Sequence, residues 1–172
     1  MIKDSLVKAL NDQLNAEYYS AYLYLTMSAY AGRLGYKGIA NWLLVQAKEE
    51  MAHGTHIYQH LLERGAAPVF QDIKAPQASY GSLKEVFERV LAHERQVTEQ
   101  IGQIASLALN EKDHTTYNFI LWYVNEQVEE EADAEDLAVR FNRIGDNPGL
   151  LYPVDAQLGT RRFTNPFPET GT

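Results

Sequence analysis

At 172 residues, with 45% hydrophobic and 22% charged residues, the chain has the size and composition of one soluble domain that buries its own core, which excludes fibrous and wholly disordered classes. It contains no cysteine, so a disulfide framework, a thiolate metal site and a thiol nucleophile are all excluded. A net charge of −8, from 15 basic and 23 acidic residues, argues against nucleic acid as a partner.

No stretch approaches the ~18 uninterrupted apolar residues of a membrane span. Met1-Ile2-Lys3-Asp4 leads into a mixed polar segment rather than the apolar core of a signal. A cytoplasmic protein with no membrane partner is the expectation.

The dominant period is helical. In the first segment Leu10, Leu14, Glu17, Ala21, Tyr24, Ser28 and Ala31 step by four and three along one helix face, with Asp4 or Ser5 as the cap and Gly32 and Gly35 as the close. The second face is Ile39, Leu43, Gln46, Glu50, His53, Ile57 and Leu61, ending near Gly65. The third is Leu83, Phe87, Val90, Glu94, Val97, Ile101, Ile104 and Ala108. The fourth is Ile120, Tyr123, Gln127, Glu130, Ala134, Leu137 and Phe141, ending before Gly145. Four such helices predict an all-α four-helix bundle over about residues 4–144 of a single domain spanning 1–172.

The links between them are unequal. Short turns near Gly32–Gly35 and Asn110–His114 make antiparallel hairpins, whereas Gly65 to Ser82 is long and contains Pro68, Pro76 and Gly81. A 28-residue helix is roughly 42 Å long, and about 16 extended residues reach roughly 53 Å. The long link can therefore return the full length of the bundle and start the third helix parallel to the second. One long crossover is the ferritin-like topology. Beyond Gly145, Leu150-Leu151-Tyr152 suggests a short fifth helix ending near Gly159, with Pro153 against it. The tail from Arg161, with Pro166, Pro168 and Gly171, reads as irregular.

Each stripe is interrupted by polar residues, and the interruptions repeat. Glu17, Glu50 and His53 recur 77 residues later as Glu94, Gln127 and Glu130. Glu-x-x-His in the second helix thus answers to Gln-x-x-Glu in the fourth, and the chain reads as two helical hairpins with a degenerate internal repeat. The hairpin turns put five of these groups, Glu17, Glu50, His53, Glu94 and Glu130, at mid-height of one core. Buried carboxylates repel and each costs several kcal/mol to desolvate. No Lys or Arg occupies the stripes, so a metal is the natural counter-charge. A Glu from each of two helices, with Glu-x-x-His motifs from the other two, describes di-iron and di-manganese carboxylate bundles. Oxygen-rich ligation with one imidazole suits iron or manganese better than structural zinc. Glu50, between Glu17 and His53 on one side and Glu94 on the other, is best placed to bridge two ions.

Glu49, Glu126 and Glu129 border this site and suggest a third cation site; the alternative is a solvated face. Tyr24, two turns after Glu17, is either a packed core tyrosine or a hydrogen-bond partner or electron donor to the metals. Trp122 reads as packing, and His56 and His60, four apart on one helix, read as surface residues, with adventitious metal binding as the alternative. Met51 is either packing or a haem ligand between subunits.

Taken together, Ala9-Leu10-Asn11-Asp12-Gln13-Leu14-Asn15, Glu49-Glu50-Met51-Ala52-His53 and Asn125-Glu126-Gln127-Val128-Glu129-Glu130 resemble the bacterial and archaeal non-haem ferritins over about residues 4–144. The resemblance implies a ferroxidase centre: a first iron site of Glu17, Glu50 and His53, a second of Glu50, Glu94 and Glu130 with Gln127 close by, and a third of Glu49, Glu126, Glu129 and Glu130. Tyr24 and Trp122 match family positions near the centre. It also implies a subunit of a hollow 24-mer that oxidises iron(II) with dioxygen or peroxide and stores iron(III) mineral in the cavity. Glu130 stands where a bacterioferritin-like relative would have histidine, which lowers the expectation of haem at Met51. Tyr117 and Ile120 replace the acids that line the three-fold pore of animal ferritins. Two other readings stay open: a non-catalytic metal-binding bundle, and a di-iron oxygenase or peroxidase.

Overall fold

The computed structural model describes residues 2–167, and among these it contains five helices and no strand. They are α1 (Asp4–Arg33), α2 (Lys37–Glu63), α3 (Leu83–Asn110), α4 (His114–Ile144) and α5 (Pro148–Leu158). None is long and apolar enough to cross a membrane. The end of the expected irregular tail, 168–172, lies outside the described residues. The chain forms two compact units, residues 2–10 with 81–146 and residues 11–80 with 147–167.

In the first unit α3 and α4 form a hairpin. Ser82 caps α3 by accepting from the Glu85 amide, and the Glu85 carboxylate accepts from the Gly81 amide at 2.7 Å, a reciprocal cap displaced by one residue. Asp113 caps α4 by accepting from the Thr116 amide at 3.0 Å. Every residue of the two predicted stripes is buried, from Leu83 to Ala108 and from Ile120 to Phe141. Phe87 and Phe141 stack with ring centres 4.1 Å apart and planes 13° from parallel. The first turns of α1 belong here as well: Leu6 and Leu10 are wholly buried, and the Ser5 hydroxyl bonds the Glu111 carboxylate.

The second unit contains the rest of α1, then α2, the crossover, α5 and the tail. The α1–α2 turn closes at Gly35, whose φ of +90° suits glycine. Ser28 turns its hydroxyl to the Ala40 carbonyl at 2.7 Å, so a polar position in the first stripe is satisfied across the hairpin. The crossover, residues 64–82, has no helix, but it is anchored. Asn11 donates to the Ala67 carbonyl at 3.2 Å and accepts from the Val69 amide at 2.6 Å. One turn on, Asn15 donates to the Val69 carbonyl and accepts from the Gln71 amide, both at 2.8 Å. Farther along, Thr26 donates to the Gln77 carbonyl at 3.0 Å, and Tyr30 meets Tyr80 edge to face. The crossover therefore runs along α1 in the direction of α1, as its length predicts.

The fifth helix is present despite Pro153. Pro148 takes the first helical position, where no amide is needed, and Asn147 caps by accepting from the Gly149 amide at 3.0 Å. Pro153 removes one internal bond, and docking on α2 offsets the loss: Leu151 and Leu158 are buried, and the Asp155 carboxylate accepts from the Ile39 amide. The approach needs glycine. A Cβ on Gly38 would lie 1.6 Å from the Asp155 carbonyl oxygen.

Candidate metal centre

Glu17, Glu50 and His53 come together in the second unit. Each offers one ligand atom, these atoms lie within 4.8 Å of one another, and all three side chains are buried. Their meeting follows from local sequence. Glu50 and His53 are three apart and share a face of α2, with His53 Nδ1 3.3 Å from Glu50 Oε2. Glu17 arrives from α1 because the two helices approach closely at Gly54: a Cβ there would lie 2.7 Å from the ring of Tyr18, the neighbour of Glu17. The role of Gly54 escapes a reading of stripes, because a small residue signals close approach only once its partner is known.

Gln13, one turn before Glu17, donates to Glu17 Oε1 at 2.9 Å and fixes that carboxylate's orientation. The other oxygen, Oε2, is buried and accepts no hydrogen bond. Burial first, and then the Glu50 charge, push the Glu17 carboxyl well above its ordinary value of 4.5, against the smaller opposing effect of His53. A buried, unsatisfied oxygen beside a second carboxylate and an imidazole is a donor set that fits a hard or borderline cation.

Glu94, Gln127 and Glu130 are all buried in the first unit. The Gln127 amide lies 3.3 Å from the Glu94 carbonyl, from Glu94 Oε2 and from Thr98 Oγ1. The α3–α4 hairpin thus has a buried carboxylate held by an amide where the α1–α2 hairpin has Glu17, Glu50 and His53. The 77-residue repeat has a physical counterpart in both hairpins.

The remaining expected residues are distributed differently. Tyr24 is wholly buried. Glu126 is half-buried and Glu129 exposed. Glu49 is engaged by Arg161, whose Nη2 donates to Glu49 Oε2 at 2.7 Å. The sequence offered no signal for that pair, since 112 residues separate its members. Trp122 is half-buried against Tyr123, with ring centres 4.9 Å apart. Met51 is half exposed and lines an apolar groove with Tyr18, Tyr22, Leu25 and Ile73.

The expectation for His60 and His56 needs correction. His60 is buried, at 5% exposure, so it is no surface residue. His56 is half-buried, with the Phe167 ring stacked on it at 3.7 Å. Helical spacing alone did not reveal that the tail covers this face. Burial, with a smaller effect of His53, lowers the His56 imidazole to about 4.

Residues 7–144 match the family described as Ferritin-like domain. The chain is 40% identical over 163 residues to the bacterial non-heme ferritin of Staphylococcus aureus strain MRSA252, covering 95% of this chain and 98% of that protein. It is 41% identical, with the same coverage, to the bacterial non-heme ferritin of Staphylococcus epidermidis strain ATCC 12228. Among solved structures, an Archaeoglobus fulgidus ferritin engineered into a closed form superimposes with a TM-score of 0.93 at 42% identity, covering 95% of this chain and all of that one. A structure described as humanized archaeal ferritin gives 0.94 at 44% identity, covering 95% and 99%. The fold is the all-α ferritin-like bundle.

Proposed function

Because the chain belongs to the ferritin family, we propose that it is an iron-storage subunit that oxidises iron(II) at a paired carboxylate site and passes iron(III) to a mineral core. The observation that carries this reading is the buried cluster of Glu17, Glu50 and His53, with a carboxylate oxygen that accepts no hydrogen bond. The family match runs through both compact units, which supports treating the chain as one domain. A hollow shell, with 24 copies as the expected number and the cytoplasm as its place, is part of the same proposal and is supported by the ferritin membership.

In this reading iron(II) is the substrate. Glu17 and Glu50 supply carboxylate oxygens and His53 supplies an imidazole nitrogen, while Glu94 and Glu130, with Gln127 beside Glu94, supply the second position. Glu50 is the bridging carboxylate. Gln13 holds Glu17 so that one oxygen stays directed to the ion. Anionic oxygen ligands favour iron(III) over iron(II) by charge, so they make iron(II) easier to oxidise, and dioxygen or peroxide is the oxidant that takes up its electrons. The Glu17 carboxyl, raised by burial, gives up its proton as iron(II) binds, so loading releases protons. Tyr24, buried two turns from Glu17, is a hydrogen-bond partner or electron donor to the centre.

The test is anaerobic loading with iron(II) followed by air, on wild type and Glu50→Ala. Fast oxidation that depends on Glu50, with mineral inside a shell near twenty-four subunits in mass, supports the reading. Binding without oxidation would leave a non-catalytic carrier.

A further inference from the structure

The residues after α5 do not leave the protein. Arg161 contacts α2 at three places. Its guanidinium donates to Glu49 Oε2 at 2.7 Å and lies over the Trp42 ring at 4.8 Å, and its carbonyl accepts from the Asn41 amide group at 3.0 Å. Six residues later the Phe167 ring stacks on His56 at 3.7 Å and meets His53 edge-on at 6.2 Å. Positions 42, 49, 53 and 56 fall on one side of a helix, since 7, 11 and 14 residues are close to whole numbers of turns. The lengths agree as well. Fourteen helical residues rise roughly 21 Å, and six extended residues reach roughly 20 Å. Residues 161–167 lie along α2 in the direction of α2.

We propose that this segment is a strap, and that Arg161 is a tethered cation which holds the Glu49 carboxylate in place of a metal ion. A metal that takes Glu49 Oε2 has to displace the guanidinium. Two features make the pair exchangeable. It is sheltered, with side chains 25% and 17% exposed, so the charge on Glu49 is answered while the strap is down. Yet the grip is one-pronged, because Nη1 of Arg161 is buried without a hydrogen-bond acceptor. A guanidinium normally grips a carboxylate with two nitrogens, and a buried donor left without an acceptor raises the energy of the docked strap. A cation of higher charge can therefore take the carboxylate and release the arm. Phe167 fixes the far end over His53 and His56, so lifting the strap uncovers the α2 face beside the paired site.

This deepens the iron-handling reading and rests on it for its meaning, but its test does not require iron turnover. The probe is terbium(III) bound to the metal-free protein, with emission sensitised by Trp42, which lies under the Arg161 guanidinium. Arg161→Gln is expected to tighten the Glu49-dependent terbium binding about ten-fold, because it removes one competing charge-assisted hydrogen bond, and a ten-fold change corresponds to about 1.4 kcal/mol. Adding Glu49→Gln should abolish that gain. Arg161→Lys keeps the charge but loses the planar fork and the stacking, and should fall between. Phe167→Ala, which leaves Glu49 untouched, should shift binding in the same direction by less. Equal terbium affinity in wild type and Arg161→Gln, or a gain that survives Glu49→Gln, would overturn the proposal. Loss of Glu50-dependent iron oxidation as a property of wild type would instead overturn the function proposed above and leave the terbium result standing.

Discussion

The carboxylate of Asp155 accepts a hydrogen bond from the amide of Ile39 at 2.8 Å, so the first turn of α2 is capped by a side chain 116 residues away in the chain. Tyr36, the residue that would cap α2 locally, makes no such bond. An acid at a helix N-terminus satisfies an orphan amide and meets the positive end of the helix dipole. The same contact ties α5 to the hairpin that carries Glu50 and His53.

Asp155→Ala should therefore cost about 1 kcal/mol, the usual worth of a cap, and lower the melting temperature by roughly 2–4 °C for a chain of this size. Gly38→Ala acts on the same joint by steric means, because its methyl group would sit 1.6 Å from the Asp155 carbonyl oxygen. Limited proteolysis near residues 145–149 should speed up in both variants. Wild-type cleavage rates in Gly38→Ala would show that α5 does not depend on this contact.

Glu17 makes the metal-free protein pH-sensitive. Its folded carboxyl lies well above the 4.5 of the unfolded chain, so between the two values the folded state holds a proton that the unfolded state has lost. Stability from this group is complete below 4.5 and declines as pH rises through the raised value. Glu17→Gln should thus stabilise the metal-free protein at neutral pH and flatten its denaturation profile above pH 4.5, while abolishing tight cation binding at the cluster. Urea midpoints measured across that range check the sign: midpoints that rise with pH in wild type would contradict it.

Gln127 provides a donor where its counterpart in the other hairpin is a carboxylate. Gln127→Glu removes the amide beside Glu94 and sets a second negative charge within about the same 3.3 Å. The metal-free protein should lose about 1–3 kcal/mol, with the loss shrinking when zinc(II) is added. Gln127→Leu removes the donor without the charge, and its loss should not respond to zinc. Denaturant titrations with and without metal separate the two.

Asn11 and Asn15 should be tested together. Each makes two bonds to the crossover, and each alanine variant should cost on the order of 1 kcal/mol. Amide exchange at Val69 and Gln71 should quicken, with the α3–α4 amides unchanged. Protected amides at both positions in the double variant would mean that the crossover is held by other contacts.

The helices and their buried faces were legible because burial follows the helical period: every position predicted for the stripes of α2, α3 and α4 is buried. In α1 the exception is Ser28, half-buried and bonded across the hairpin, where Met27 takes the core position instead. The cluster of Glu17, Glu50 and His53 was legible for the same reason, as an acid pattern written on that period. What spacing could not reveal depends on partners far away in the chain. His60 and His56 look like solvent-facing histidines, but one is buried and the other lies beneath Phe167. Pro153 argued against a fifth helix because a local rule cannot see Gly38 and Ile39 waiting as a dock.

The two asparagines on α1 work as a vernier. Four helical residues advance about 6.0 Å, and two extended residues advance about 6.6 Å. Rungs at Asn11 and Asn15 therefore fall nearly in step with carbonyls and amides two residues apart on the crossover. The mismatch grows with each rung, which limits such a ladder to a short run; the next position, Tyr19, carries no side-chain amide to extend it. Sequence length between residues 67 and 71 is consequently quantised. A one-residue insertion there would turn the bonding groups away from α1, whereas a two-residue insertion would keep their phase.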